Sequence, residues 1–327
     1  MKRVLVVILL FLSSMLHAGW KWEKVETGES PPICENADMN LFGFHLTYDP
    51  DIEKLVLTYW NESEDMSDTW LWDGYTWSYE CTHDASGHPN KDFGANQMFY
   101  DEVSKVLMDV RWQGCGDGYR NCGTLCRKDE NSCWDCFLSF TPTFSTTYDA
   151  FRKRAVMANG SLRLILEWDG QQLHETQLNN YFDAEALVAY DEFSKQVIIR
   201  DRGYRTFEYD GVNLEEYEGL NEILEEWGMA YNPHLEGVVL SLIHGNTYVY
   251  KDHKWKMVPT VIGDLYQEYS WVRFSQMVYF PPTDQFLLLT IPLYDNDGCL
   301  AFYELKEYDR THSRPFDKPL LTIRRIH

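Results

Sequence analysis

Positive charge is scarce in this sequence. Against 51 Asp and Glu stand 29 Lys and Arg, leaving a net charge of −22 over 327 residues. A surface this acidic repels nucleic acid and anionic lipid, so neither is expected as a partner. Long apolar runs are equally few. After "VLVVILLFL" at the very start there is no second one, which argues against a spanning helix further along. The residue after Ala18 is Gly19 and not Cys, which argues against a lipoprotein anchor. The CxxC at 133–136 has no second CxxC and no His pair nearby, which argues against a zinc site. No acid/base pair, nucleophile or metal cluster stands out, and no cofactor or metal is expected.

What is present begins with an export signal. "MKR" is a short basic region, the apolar run follows, and "SSMLHA" supplies small residues before a cleavage edge at Ala18. Residues 1–18 read as a signal peptide, and 19–327 as one secreted domain, periplasmic or extracellular, with no stable membrane insertion after cleavage. Apolar residues make up 44% and aromatics 15%, ample for a packed core. In an exported chain the eight cysteines are disulfide candidates: Cys34, Cys81, Cys115, Cys122, Cys126, Cys133, Cys136 and Cys299. Five of them cluster between 115 and 136, so if all pair, at least one bridge leaves the cluster.

The chain repeats itself. Six segments carry a Tyr, mostly followed by Asp or Asn, then a polar turn, then an apolar run. The anchors are Tyr48, Tyr100, Tyr148, Tyr190, Tyr231 and Tyr279, about 46 residues apart. Each unit reads as a hairpin whose turn is closed by Lys54, Lys105, Lys153 or Lys195, and by Glu236 and Asp284 in the last two. The second strand is too uninterrupted in its apolar residues for a sheet with one wet face. A second hairpin follows at Trp72-Asp73-Gly74, Trp168-Asp169-Gly170 and Tyr209-Asp210-Gly211, since Asp-Gly between β-type runs favours a tight turn. The recurring aromatic before Asp-Gly is expected to pack between neighbouring units.

Four strands per unit and six units predict an all-β, six-bladed β-propeller. The sixth unit lacks its fourth strand after Tyr303. "WKWEKV" at Trp20–Val25 resembles the fourth strand of unit five, so the N-terminal strand is expected to close the ring within the last blade. The C-terminal "PLLTIRRI" is a rival for the same slot.

With Asp68-Thr69-Trp70, Trp72-Asp73-Gly74, Thr76-Trp77 and the six Tyr anchors, the chain resembles kelch-type propellers of the galactose-oxidase central-domain kind. The Gly-Gly doublet that usually ends their second strand is absent. The resemblance implies a non-enzymatic module that binds a protein or glycan partner through its loops. The alternative is an exported polysaccharide-active hydrolase or lyase, with its site at the channel mouth near His45, Asn96, Thr146 and Gln276. The sialidase Asp-box is not matched, because "DGYTW" lacks a residue between Asp and Gly.

Unit two is irregular: residues 113–136 read as a Cys-rich insertion. Aromatics outside the repeat register are the binding candidates: Trp112, Tyr119 and Trp134, with His45 added on a first strand near the channel. His83 and His88 are close enough for a local metal site but read as a solvated connection. "YDNDGCL" at 294–300 reads as a β-turn rather than a calcium loop. Asn61 and Asn159 lie in glycosylation sequons.

Overall fold

The computed structural model describes residues 18–27, 31, 44–61, 66–84, 97–115, 120–129, 133–140, 145–160, 162–179, 182, 186–201, 203–220, 226–242, 246–261, 272–292 and 301–309. The strand β1 (Ala18–Val25) precedes the blades. Blade 1 is β2 (Phe44–Asp49), β3 (Lys54–Asn61), β4 (Met66–Trp72) and β5 (Trp77–Asp84). Blade 2 is β6 (Met98–Asp101), β7 (Val106–Cys115), β8 (Arg120–Asp129) and β9 (Cys133–Phe140). Blade 3 is β10 (Ser145–Asp149), β11 (Arg154–Asn159), β12 (Leu164–Trp168) and β13 (Leu173–Gln177). Blade 4 is β14 (Leu187–Asp191), β15 (Gln196–Arg200), β16 (Thr206–Tyr209) and β17 (Leu214–Tyr217). Blade 5 is β18 (Glu226–Asn232), β19 (Gly237–Leu242), β20 (Thr247–Lys251) and β21 (Lys254–Val258). A short β22 (Thr260–Val261) leads to blade 6, which holds β23 (Val272–Phe280), β24 (Gln285–Pro292) and β25 (Ala301–Asp309).

Each blade is an antiparallel meander, and each first strand lies beside the first strand of the next blade. The ring closes where β23 lies beside β2. The fold is a six-bladed β-propeller. The missing fourth strand of blade 6 is β1, antiparallel to β25 with Trp22 opposite Leu305. At its far edge the two-residue β22 pairs in parallel with Trp20 and Lys21. Trp22 is fully buried, and its indole donates to Thr247 Oγ1 of blade 5 at 3.0 Å. The C-terminal rival lies outside the described residues.

The first-hairpin turns are built alike. Asp49, Asp101, Asp149, Asp191 and Asn232 each accept a backbone N–H from two or three residues on. The turn closes on a residue in the left-handed region: Glu53, Lys105, Lys153, Lys195, Glu236 and Asp284, with φ between 50° and 62°. In blade 1 that residue is Glu53, not Lys54, which already belongs to β3. The residue five after the Tyr sets the turn, whatever its charge. At the second hairpins, Gly74, Gly170 and Gly211 have φ of 104°, 91° and 100°. A Cβ on Gly170 would sit 2.7 Å from Val103 Cγ1 in the preceding blade, so glycine is needed twice over.

Between the blades, Trp72 packs on Phe280 and Phe302 of blade 6. The Trp168 indole donates to Asp101 Oδ2 of blade 2, and Arg152 lies over the Tyr209 ring. The aromatic before Asp-Gly therefore packs between blades. The tryptophans of the blade 1 turn belong to this core.

The Cys-rich segment is a correction. It does not stand beside blade 2 as an insertion: its described residues form the end of β7, all of β8 and the start of β9. Among the described residues, two disulfides bind this outer half. Cys126–Cys136 joins β8 to β9, and Cys81–Cys133 ties β5 of blade 1 to β9 of blade 2. The latter is a bridge that leaves the cluster. Such bonds indicate an oxidising environment, and no helix among the described residues is long and apolar enough to cross a membrane. Cys34 and Cys299 lie outside the described residues, and Cys115 and Cys122 are placed only by their strands. The signal peptide expected at residues 1–18 also lies outside them save for Ala18, which opens β1. Asn159 is buried and its side-chain oxygen accepts the Leu162 N–H, which leaves no room for a glycan there.

Candidate functional site

The two ends of the ring differ in chemistry. First strands begin at one end, the mouth, and run to the turn end. At the mouth, His45 is second in β2 and 1% exposed. Its Nδ1 lies 2.6 Å from Asp109 Oδ1 of β7, in the next blade. Arg111 Nε donates to Asp109 Oδ2 at 2.8 Å. Burial pushes the Asp109 carboxyl up, but the His45 and Arg111 charges outweigh it and hold it below the usual range. A carboxylate has no proton to give, so the imidazole donates through Nδ1–H. His45 Nε2 and Arg111 Nη1 and Nη2 are buried and find no partner among the described residues.

Gln276 works differently. Its amide accepts the Leu46 N–H at 2.6 Å and donates to the Phe44 carbonyl at 2.5 Å, fastening blade 6 to blade 1. Thr146 is buried, and its hydroxyl finds no partner among the described residues. Of the expected mouth residues, His45 and Thr146 are second in their first strands and Gln276 is fifth in β23, and among these described residues only His45 joins a charged cluster. Asn96 and Tyr119 lie outside the described residues. Trp112 is placed opposite Gly123 in β7.

Trp134 is a correction: it is 1% exposed, not a surface aromatic. Its indole donates to Thr69 Oγ1 of blade 1 at 2.9 Å, and its ring lies under Arg111 at 4.9 Å. The Cys81–Cys133 bridge next to it pulls β9 onto blade 1 and seals the ring inside. His83 sits in β5; His88 and the 294–300 stretch lie outside the described residues. No group of three or more His, Cys, Asp or Glu among the described residues is placed to hold a metal.

The turn end carries six of the ten exposed large apolar groups among the described residues. Val103, Phe151 and Phe193 stand three residues after their Tyr, at 45%, 69% and 59% exposure. Ile52 stands four after Tyr48 at 39%, and Tyr75 and Val212 crown second-hairpin turns at 72% and 80%. The tips are held. The Phe151 N–H donates to the Tyr190 hydroxyl at 3.2 Å, and Lys251 lies over the Phe193 ring. Gly211 meets Arg152, which places the Val212 turn against the Phe151 turn.

Neither a family model nor a curated protein sequence matches the chain. Its likenesses are to solved structures. One is a putative gluconolactonase, with a TM-score of 0.53 and 12% identity over 89% of this chain and 93% of that one. Another is a Bacteroides thetaiotaomicron protein of unknown function, with a TM-score of 0.53 and 8% identity over 88% of this chain and 76% of that one. Virginiamycin B lyase from Staphylococcus aureus aligns with a TM-score of 0.49 and 9% identity over 89% of this chain and 88% of that one. At such identities the first two likenesses show the fold alone.

Sequence reasoning missed Asp109 and Arg111, although "VLMDVRW" breaks with charge a run that is uncharged between its first and last residues in the other units. It also missed Phe151 and Phe193, whose turns were read only for their polar residues.

Proposed function

We propose that this chain is an exported, kelch-like propeller without catalytic activity, which binds a protein partner on its turn end. The observation that carries the reading is the apolar row Ile52, Val103, Phe151 and Phe193, one in each of four consecutive blades. Water-exposed apolar groups repeated around one face mark interaction surfaces. Aromatic anchors on rigid turns lose little freedom when they dock. The Tyr190 hydroxyl and the Asp149 carboxylate already fix the turn that bears Phe151. The Tyr-Asp turns and Trp-Asp-Gly hairpins support the kelch-like label.

The test is a pull-down with the chain from residue 19, comparing wild type with Phe151→Ser/Phe193→Ser. Leu162→Ser is the control, an exposed apolar residue on the opposite end. Loss of a captured protein in the double variant, with retention in the control, supports the reading. Equal capture by all three contradicts it. The second reading, a polysaccharide-active hydrolase or lyase, draws on the His45–Asp109 pair at the mouth, whose free ring nitrogen is suited to general-base work.

A further inference from the structure

We infer that the junction of blades 1 and 2 holds a binding site for a small hydroxy-carboxylate. Arg111 takes the carboxylate and His45 Nε2 takes the hydroxyl. The inference stands apart from the turn-end reading.

The first argument comes from the repeat. Asp109 pairs with the residue two before its Tyr anchor. The same place holds Leu57, Met157, Ile199, Leu240 and Leu288 in the other five blades. All six side chains are fully buried. At this place five blades bury an apolar side chain and blade 2 buries a carboxylate, which binds the imidazole of His45 in blade 1 and the guanidinium of Arg111 on its own strand. Such a cluster is costly to bury and is seldom a gain over apolar packing. Stability alone therefore does not explain it.

The second argument is the unfinished bonding. Elsewhere a buried guanidinium spends its Nη groups on the chain: Arg200 Nη1 and Nη2 donate to the carbonyls of Asp201 and Leu220 at 2.6 and 3.1 Å. Arg111 spends only Nε, on Asp109, and its two Nη groups are left. An unmet buried donor carries its full desolvation cost, so a group from outside the chain is called for. Asp109 also fixes what that group must be. By accepting at both oxygens it orients the two side chains. The free guanidinium fork matches a carboxylate. With Nδ1–H committed to Asp109, the ring in its neutral form presents a lone pair at Nε2, and that form needs a donor such as a hydroxyl. Trp134 under Arg111 supplies a wall and a reporter. Arg111 lies toward the mouth end of β7, so the ligand approaches from that mouth.

The chain from residue 19 is titrated with glycolate, acetate and glycolamide, and read by tryptophan emission and thermal midpoint. Glycolate is expected to shift both saturably at millimolar concentration, because a ligand that binds only the folded state raises its midpoint. Acetate, lacking the hydroxyl, is expected to bind about fivefold or more weakly. Neutral glycolamide is expected to give no response. Arg111→Lys abolishes binding, and His45→Gln reduces glycolate to the level of acetate. The three-ligand comparison on wild type stands even where a variant fails to fold. Equal responses to all three ligands overturn the proposal. So does no saturable response to glycolate, or a crystal grown in glycolate in which only water meets Nε2 and the Nη groups.

Discussion

The Tyr148 hydroxyl of blade 3 accepts the backbone N–H of Glu102 in blade 2 at 3.1 Å. Tyr190 does the same for Phe151, and the Tyr100 hydroxyl donates to Asp51 at 2.7 Å. In blades 2, 3 and 4 the recurring anchor is a strut from one blade to the turn of the blade before it, whereas the Tyr279 hydroxyl donates to Asp284 in the turn of its own blade. Removing the hydroxyl orphans a turn N–H. Tyr148→Phe is expected to cost about 1–2 kcal/mol, read as a lower urea midpoint at unchanged slope. A variant as stable as wild type contradicts the strut.

The same struts predict alkaline sensitivity. Burial, then the Asp149 charge, pushes the Tyr190 phenol up to about 12. Burial, then the Glu167 charge, does the same for Tyr209. Tyr148 is raised further, by burial and then Asp101. Free tyrosine ionises near 10. Groups raised on folding contribute stability that is whole below about pH 10 and is lost as pH rises toward about 12. Denaturant midpoints are expected to hold to about pH 10 and fall above it, with tyrosinate absorbance rising at unfolding. Normal tyrosine ionisation in the folded protein contradicts this.

Gly170→Ala tests the blade seam. The alanine must hold φ near 91° and place its Cβ 2.7 Å from Val103 Cγ1. A loss of about 1–3 kcal/mol is expected by thermal melting. Indifference to the change contradicts the close approach.

The two described disulfides are expected to differ. Cys81–Cys133 closes a separation of 52 residues and Cys126–Cys136 one of 10. By chain entropy, Cys81→Ser/Cys133→Ser costs about 4 kcal/mol, against about 3 for Cys126→Ser/Cys136→Ser. Guanidinium denaturation of the two double variants gives the ranking, and the reverse order contradicts the account.

Much of the architecture was legible because it rests on local chemistry. The Asp-Gly hairpins, the Tyr-Asp turns and the uninterrupted second strands all follow from φ preferences and burial on both faces. "WKWEKV" was readable as a fourth strand by its likeness to the strand in unit five. Blade 2 was not. Its outer strands replace apolar side chains with cysteines and a deeply packed Trp134, so the pattern that marks strands elsewhere is lost and disulfides do the holding. The partners of His45 were hidden for another reason. Asp109 and Arg111 are 64 and 66 positions away along the chain, and only the closing of blade 1 against blade 2 brings them to the imidazole. The turn-end row was hidden by its spacing, one apolar residue per unit among charged neighbours.

The most direct measurement of the central claim uses a photo-crosslinking residue at Phe151, with a second protein carrying it at Leu162. Both positions are exposed and they lie on opposite ends of the ring. The account predicts a discrete crosslinked protein from position 151 that Phe193→Ser removes, and none from 162. Crosslinking from 162 alone, or from both positions equally, would contradict it.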